Sequence, residues 1–502
     1  MQRHTPMLLR GILLLLAASL AAALAAGDPP FHPDIPKAWD DVAVESMELP
    51  LVQRDRSPRY MSSAEYYALK VRPIYRSYPA YAAGREPAGY LDSLKQKDPE
   101  ILFDPSKLHT KADWIRAGKL VFESDTQFRP APAAQPAPSE TTWPIAPDGT
   151  LPPFQPGFRY YIRKKGVVEV GVNSCAGCHT RVLPDGSLFE GGQGMPNPPQ
   201  PVSETTIRAI RESTPEAFQA RLDSIYVIIG APWIMSKEQF GKSFTREDFI
   251  RYLTNRPQSV FARQGTSYTH PVRVPSLIGI ADIHYLDATG LVRNRGIADI
   301  MRYAILNEGL DTLAHYGDFQ PAPGRTAFSG DPGTRYSDEQ LYALALYIES
   351  LQPPPNPNKF DESAQRGQKV FQSEGCPTCH TPPLYTNNKL NPVRGFKVPE
   401  DLRKTDAIMD TTVGTDPTLA LETRRGTGFY KVPSLRGLWY RTGYGHGGQA
   451  ATLEEWFDPA RLEDNYVPKG FHTGPGPIEG HEKGLDLTPE EKQDLIAFLK
   501  TL

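Results

Sequence analysis

The chain has 502 residues, a formal net charge of −3, 50 prolines and four cysteines. Basic and acidic residues are mixed along the sequence, so the charge pattern gives no reason to expect a nucleic-acid partner. The length suffices for two or three domains. The high proline content predicts long irregular connections between short regular elements.

The N-terminus has the pattern of a secretory signal peptide. Arg3 and Arg10 accompany an apolar, alanine-rich stretch over residues 8–26 that ends in small residues. We therefore predict a signal peptide over residues 1–26 and a periplasmic or secreted protein. No later stretch approaches the roughly 18 apolar residues of a membrane span, so we expect no integral membrane span. Residues 27–110 form an N-terminal extension without recognisable chemistry.

All four cysteines lie in two Cys-x-x-Cys-His motifs. The motif residues are Cys175, Cys178 and His179, and Cys376, Cys379 and His380. Two cysteines at this spacing can both bond to the vinyl groups of a haem, and the next histidine then lies under the ring as an iron ligand. A redox dithiol or half of a zinc site would use the same string. Because each pair has its histidine and no cysteine is left over, we predict two covalently bound c-type haems.

Three further patterns occur twice, in the same order around the motifs. The pairs are a helical pattern at 116–124 and 365–373, a Val-Pro-Ser-Leu string at 274–277 and 432–435, and a capped amphipathic helix at 337–351 and 488–502. Repetition in a fixed order predicts an internal duplication.

The duplication predicts a mainly α fold with little β structure. Two tandem cytochrome c domains would occupy residues 111–352 and 360–502, joined by a proline-rich linker at 353–359. In the first domain, a long proline-rich insertion separates Phe122 from Cys175 and cannot be one regular element.

The second half adds a string of more specific motifs. Tyr-Gly-His-Gly-Gly occupies positions 444–448 and Ala-Thr-Leu-Glu-Glu occupies 451–455. Together with the two haem motifs and the predicted signal peptide, these strings resemble the bacterial di-haem cytochrome c peroxidase and MauG superfamily. The resemblance covers residues 111–502. The proline-rich loop, the turn at 285–290 and the Gly-His-Glu-Lys-Gly string at 480–484 are most similar to the rubber-oxygenase branch.

The resemblance implies an exported di-haem oxidoreductase. Its N-terminal haem would activate peroxide or dioxygen, and its C-terminal haem would be the electron-transfer centre. The partner would be a small electron-donor protein or an apolar substrate. A non-catalytic di-haem electron carrier and a haem-bearing docking protein are the alternatives.

Histidine positions bear on which iron is open to an oxidant. No histidine follows His179 until His270, so we predict that the first haem is open or weakly ligated and is the reactive site. Met195, Met235 and Met301 are alternative sixth ligands. His270, like the histidines at positions 284 and 315, is predicted to be a turn or surface residue.

For the second haem the candidate sixth ligands are His446, His472 and His481. We prefer His481 because it lies in a glycine-flanked loop shortly before the closing helix and matches the ending of the oxygenase branch. His446 lies where the superfamily has a histidine that is not usually a ligand.

Two further features follow from the resemblance. The superfamily uses a tryptophan between the haems, and Trp233 is the candidate, although an ordinary core role is the alternative. Di-haem peroxidases also present an acidic residue near the distal face, where this chain has Asp287 and Asp299 but no glutamate in register. The lack of a positioned acid weakens classical peroxidase chemistry and favours dioxygen activation.

The superfamily also binds calcium between its domains, through an asparagine and backbone carbonyls. The resemblance implies that Asn197 and the carbonyls of Lys431 and Pro433 correspond to these ligands. The alternative is a turn residue, the usual role of a lone asparagine among prolines.

Overall fold

The structure is a computed structural model that describes residues 29–82, 84–131, 145–151, 159–183, 185–194, 202–262, 265–321 and 333–502. The predicted signal peptide, Met195, Asn197 and most of the proline-rich insertion lie outside these residues.

Short helices dominate the described part of the chain. They are α1 Asp41–Glu45, α2 Ser63–Ala68, α3 Tyr90–Lys95, α4 Lys111–Glu123, α5 Cys175–His179, α6 Glu204–Arg211, α7 Pro215–Ile229, α8 Lys237–Ser243, α9 Arg246–Asn255, α10 Ile297–Leu313, α11 Asp338–Ser350, α12 Glu362–Ser373, α13 Glu400–Thr405, α14 Thr418–Leu421, α15 Leu453–Trp456 and α16 Pro489–Lys500. Helices hold 37% of the described residues and strands 14%, which confirms the mainly α prediction.

The strands are short and mostly paired in twos. They are β1 Arg59–Tyr60, β2 Lys70–Val71, β3 Ser77–Pro79, β4 Phe128–Pro130, β5 Arg159–Lys164, β6 Val167–Gly171, β7 Thr180–Val182, β8 Leu188–Glu190, β9 Val260–Phe261, β10 Val272–Arg273, β11 Tyr285–Leu286, β12 Val292–Arg293, β13 Ala314–His315, β14 Thr334–Arg335, β15 Leu390–Pro392 and β16 Phe429–Lys431. One larger antiparallel sheet has the order β3-β5-β6-β4. No sequence pattern predicted it.

The two closing helices, α11 and α16, begin at the caps that the sequence pattern indicated, while the opening helix α4 begins at Lys111, before the predicted pattern at 116–124. Thr110 caps α4, Ser337 caps α11 and Thr488 caps α16, each through a capping box. In each box the cap hydroxyl accepts from a backbone N–H while an acidic or amide side chain three residues on bonds back. Two otherwise unpaired backbone donors are satisfied at each helix start.

We call residues 111–352 the first half and residues 360–502 the second half. The opening and closing helices of each half cross at very short range. A Cβ on Gly118 of α4 would overlap the backbone carbonyl of Ala343 in α11, and a Cβ on Gly367 of α12 would overlap that of Asp494 in α16. Only glycine permits this approach at the two aligned positions. The same crossing therefore occurs once in each half.

The N-terminal extension packs into the main core. Trp39 and Met47 are fully buried there, against residues of α4 and α11 such as Val121 and Leu341. The indole N–H of Trp39 donates to the Met61 carbonyl at 2.8 Å. Strand β1 also pairs with β13, and β2 with β14, which ties the extension to the first half.

Polar contacts join the two halves. Arg293 and Asp406 form an ion pair at 2.8 Å. Arg424, which is fully buried, donates to the carbonyls of Ile228 and Gly230 at 2.8 and 3.1 Å. These contacts hold the segment before α10 against the second half.

None of the helices in the described part of the chain is both long and apolar enough to cross a bilayer.

Candidate haem-binding site

A cavity of about 1090 Å³ lies beside the second Cys-x-x-Cys-His motif, and Cys376, Cys379, His380 and His481 all line it. Its apolar lining includes residues of α12, α15 and α16, namely Phe371, Leu453, Leu495 and Leu499. An apolar cavity of this size with two thiols and two imidazoles has the groups that a covalent haem requires.

His380 and His481 face each other across this cavity. Their ring centroids lie 6.3 Å apart, with an angle of 49° between the ring planes. An imidazole nitrogen bonds a metal at about 2 Å and lies about 1 Å from its ring centre, so two axial imidazoles on one metal have centres roughly 6 Å apart. The separation fits one iron between the two rings.

Hydrogen bonding and burial prepare His380 for ligation. Its Nδ1 lies 3.1 Å from the Tyr385 carbonyl oxygen, so Nδ1–H donates there and Nε2 is left to bind a metal. Burial lowers the pKa of His380 to about 4 and also lowers the pKa of His481. Both imidazoles are therefore neutral at pH 7, the form that binds iron.

The pKa values of the two thiols are shifted in the direction opposite to that of a redox-active pair. Burial raises the pKa of the Cys376 thiol to about 11 and also raises the pKa of Cys379. Redox-active Cys-x-x-Cys pairs have lowered thiol pKa values. The environment thus disfavours the dithiol alternative.

The loop that carries His481 is fixed by Arg461, a fully buried residue that the sequence analysis missed. Arg461 Nε donates to the Trp456 carbonyl at 2.8 Å, and Nη2 donates to the carbonyls of Gly480 and His481, both at 2.9 Å. The His481 N–H donates to the Val413 carbonyl at 2.7 Å. Nothing in the sequence separates this arginine from a surface one, because its partners are brought to it by the fold.

The other two candidates for this position point elsewhere. His446 lines the same cavity, but its ring stacks on Tyr430 with centroids 3.4 Å apart, and its Nε2 lies 2.9 Å from Thr415 Oγ1. His472 does not line the cavity, and its Nε2 lies 3.4 Å from Asn255 Nδ2. Of the three predicted candidates, only His481 faces His380.

At the first motif, Cys175, Cys178 and His179 lie on the single turn of α5. The Ser174 side chain caps this turn by accepting from the Gly177 N–H at 3.2 Å. The backbone N–H of Gly191 donates to the His179 carbonyl at 2.6 Å and holds the following loop against the motif. The geometry presents both cysteines and the histidine on one short helix.

The same backbone contact recurs beside each motif. The Leu277 N–H, in the first Val-Pro-Ser-Leu string, donates to the Gly191 carbonyl at 2.8 Å. The Leu435 N–H, in the second string, donates to the Tyr385 carbonyl at 3.2 Å. The repeated strings thus have equivalent positions relative to the two motifs.

The residues weighed as sixth ligands of the first haem differ in burial. One ring nitrogen of His270 is 3.2 Å from a carboxylate oxygen, and His284 and His315 are exposed. Met301 is fully buried in the main core, and Met235 is exposed.

Trp233 lies at the contact between the two halves. Its ring stacks on Tyr316 with centroids 5.5 Å apart and meets the ring of Phe319 edge-on at 6.1 Å. Arg424 of the second half lies over Tyr316 at 5.6 Å. Trp233 does not line the cavity around His380, so its role as an electron bridge stays a prediction.

An acidic cluster adjoins the cavity. Asp287 lines it and forms an ion pair with Arg425 at 3.0 Å, and Glu48 of the N-terminal extension lies 3.6 Å from the same guanidinium. Burial raises the pKa of Glu48, and Arg425 partly offsets the rise. Asp299, the other aspartate of the stretch in which no positioned acid was expected, pairs with Arg302 and Arg295. The sequence analysis missed Glu48, whose only signal is a charged residue between two apolar ones.

Lys431 and Pro433, predicted to offer carbonyls to calcium, both line the cavity. Their predicted partner Asn197 lies outside the described residues. The calcium site stays a prediction.

Three curated relatives match part of the chain. A cytochrome-c peroxidase from Denitromonas iodatirespirans is 30% identical over 159 residues, covering 28% of this chain and 40% of the relative. The methylamine utilization protein MauG from Methylorubrum extorquens is 29% identical over 140 residues, covering 28% of this chain and 34% of the relative. A cytochrome-c peroxidase from a Pseudomonas species is 29% identical over 167 residues, covering 29% and 41%.

The names of these relatives support the resemblance of this chain to the superfamily of di-haem cytochrome c peroxidases and MauG. They also support a haem oxidoreductase enzyme with covalent c-type haem. The match spans less than half of each relative's length. No family model matches the chain.

The similarity of this chain to solved structures is low. A hydrazine synthase from Kuenenia stuttgartiensis aligns with 61% of this chain and 94% of its own, at 16% identity and a TM-score of 0.29. A MauG-like protein associated with microbial copper homeostasis aligns with 50% of this chain and 77% of its own, at 19% identity and a TM-score of 0.29. TM-scores this low do not establish a shared fold.

Proposed function

We propose that the protein is an exported di-haem c-type cytochrome oxidoreductase. Each half is a cytochrome c domain. The first haem is bound by Cys175, Cys178 and His179, and the second by Cys376, Cys379, His380 and His481. The first activates peroxide or dioxygen and the second transfers electrons. The sequence of residues 1–26 supports export to the periplasm.

The observation that carries the proposal is the 6.3 Å separation between the rings of His380 and His481 beside two thiols. A haem iron held by two protein imidazoles has no open position and is limited to electron transfer. The division of labour follows from this, because the oxidant must then react at the other haem.

An open first haem is supported by the positions of the other candidate ligands. After His179 the next histidine is His270, which contacts a carboxylate, and Met235 is exposed. Met301 is buried in the same core as Ala176 of the first motif and stays an alternative sixth ligand. Trp233, at the contact between the halves, is the proposed electron path between the two haems. The proposal is supported by the stacking of its ring on Tyr316, over which Arg424 of the second half lies.

Two oxidants are compatible with this site. The similarity of residues 480–484 to the rubber-oxygenase branch supports dioxygen with an apolar substrate. The curated relatives support peroxide with a small electron-donor protein.

The test is spectroscopic. The isolated protein should carry two haems by mass and show one low-spin and one high-spin or dioxygen-bound component in visible and EPR spectra. Two low-spin, six-coordinate haems in every redox state would establish the non-catalytic electron carrier instead. Hydrogen peroxide turnover with a reduced cytochrome, compared with oxygen uptake and product mass on a polyisoprenoid, then separates the two oxidants.

A further inference from the structure

Four cationic side chains line the cavity of the second motif without forming an ion pair in the described part of the chain. Lys483 is exposed beside Cys376, and the other three, Arg273, Lys431 and Arg441, are half-buried. Arg273 comes from the first half and the other two from the second. Of the neighbouring carboxylates, Asp287 forms its ion pair with Arg425 and not with any of the three.

The two arginines are also incompletely hydrogen-bonded. Arg273 Nη1 donates to the Gly443 carbonyl and Arg441 Nη1 to the Ser434 carbonyl, both at 2.8 Å. The Nε of each is buried, with no hydrogen-bond partner among the described residues. Burial, together with the nearby charge of Arg441, lowers the pKa of Arg273 to about 10. A buried cation is costly unless an anion faces it.

We propose that Arg273, Lys431 and Arg441 form a carboxylate-binding site for the propionates of the haem attached at Cys376 and Cys379. The inference rests on the proposed second haem. The thioether bonds fix the vinyl edge of a c-type haem at the two cysteines, which directs its two propionates to the opposite edge. A free carboxylate ligand has the same recognition chemistry, so the experiment must separate the two sources.

The charged neighbours of the two regions differ as this orientation requires. Beside Cys376 the charged groups are Glu374 and Lys483. Arg273 has Arg441 and Tyr444 as its neighbours instead. The cysteine side is therefore of mixed charge, while the side of the arginines is predominantly cationic; Asp287, the carboxylate that acts on Lys431, is paired with Arg425. Because the cationic residues come from both halves, the propionates bridge the halves across the cavity.

The test measures the midpoint potential of the low-spin haem in the intact protein. Reduction adds an electron, which a nearby cation stabilises, so removing the cation lowers the potential. R441Q and R273Q should each lower it, and R441K, which keeps the charge, should stay near the wild-type value. The propionate bending band in the resonance Raman spectrum should shift in the two glutamine variants only.

The matched control is R293Q. Arg293 also lies between the halves but pairs with Asp406 and does not line the cavity, so R293Q should reduce stability without changing the potential. Loss of the second haem in R441Q but not in R441K would also support the proposal. If R441K loses it as well, the potential of R273Q decides.

An unchanged potential and Raman band in R441Q and R273Q with full haem content would overturn the inference. Titration of wild-type protein with acetate tests whether the site binds a free carboxylate instead. A saturable change in potential would assign the site to a free carboxylate and overturn the propionate assignment. Absence of a second haem in the wild-type mass would instead overturn the proposed function.

Discussion

His481 has a backbone conformation that few non-glycine residues adopt. Its φ is 48°, and the preceding Gly480 has a φ of 70°. A Cβ on Gly480 would overlap the backbone of Gly414. Arg461 compensates by bonding the carbonyls of this turn. Strain of this kind persists where surrounding contacts overdetermine it, as they do at binding sites.

Replacing His481 with alanine should convert the second haem from low spin to high spin, because the sixth ligand is lost. The first haem should keep its visible and EPR signals. His472→Ala is the control, since that ring lies outside the cavity and should leave both spectra unchanged. A low-spin signal that survives in His481→Ala would move the assignment to His446.

Replacing Trp233 with phenylalanine should slow electron equilibration between the haems, measured after flash reduction, while haem content stays normal. The phenyl ring keeps most of the packing against Tyr316 and Phe319, so the stability cost should stay below about 1.5 kcal/mol. Phe319→Leu is the control for packing alone. An unchanged rate in a well-folded Trp233→Phe protein would make this tryptophan an ordinary core residue.

At the scale of elements, local signals in the sequence were reliable. The caps at Ser337 and Thr488 and the spacing of apolar residues predicted the paired closing helices, because a helix is specified by neighbours along the chain. The sheet was not predictable in this way. Strand β3 pairs with β5, more than 70 residues later, and β3 is only three residues long. Pairing at that separation depends on the packed fold.

Gly367→Ala should destabilise the protein, because the added Cβ overlaps the Asp494 carbonyl and forces α12 and α16 apart. We expect a loss of about 1–3 kcal/mol in the free energy of unfolding, the usual cost of overpacking. Gly118→Ala should behave alike at the equivalent crossing. Gly474→Ala is the control because nothing lies within 4 Å of its Cβ position. Equal stability of Gly367→Ala and wild type, by denaturant unfolding, would contradict the close crossing.

Only part of the candidate site was predictable from the sequence. The packing of the whole molecule explains which residues were found and which were missed. Both motifs and His481 were found from residue type and spacing. Arg273 and Arg441 were not, because they meet only when the two halves pack together. The N-terminal extension was chemically silent in the sequence, yet it supplies Trp39 to the main core and Glu48 to the acidic cluster.

Trp39→Ala should therefore destabilise the first half and not just the extension. The side chain is fully buried against Tyr60 and Tyr66, so the expected loss is about 3–5 kcal/mol in the free energy of unfolding. Val42→Ala is the control on the adjacent helix, because Val42 is 74% exposed. A normal melting temperature for Trp39→Ala would show that the extension is not part of the main core.

The contact between the halves should make stability sensitive to acid. Asp406 is buried, and although burial raises its pKa, the hydrogen bonds from Arg293 and Thr405 bring the pKa below the ordinary value. A carboxyl whose pKa is lowered on folding stabilises the folded state above its unfolded pKa of about 3.9, and this stabilisation is lost as the pH falls through the lower folded value.

Asp406→Asn should lower the free energy of unfolding at pH 7 by about 1.5–3 kcal/mol, the range for hydrogen bonds to charged groups. The difference from wild type should shrink as the pH falls below about 4, because the wild-type carboxyl then takes up a proton and loses its advantage. Asp410→Asn is the control, since that side chain is 96% exposed. Denaturant unfolding at a series of pH values measures both. A stability difference that stays constant down to pH values at which wild type unfolds would show that the charge of Asp406 does not hold the halves together.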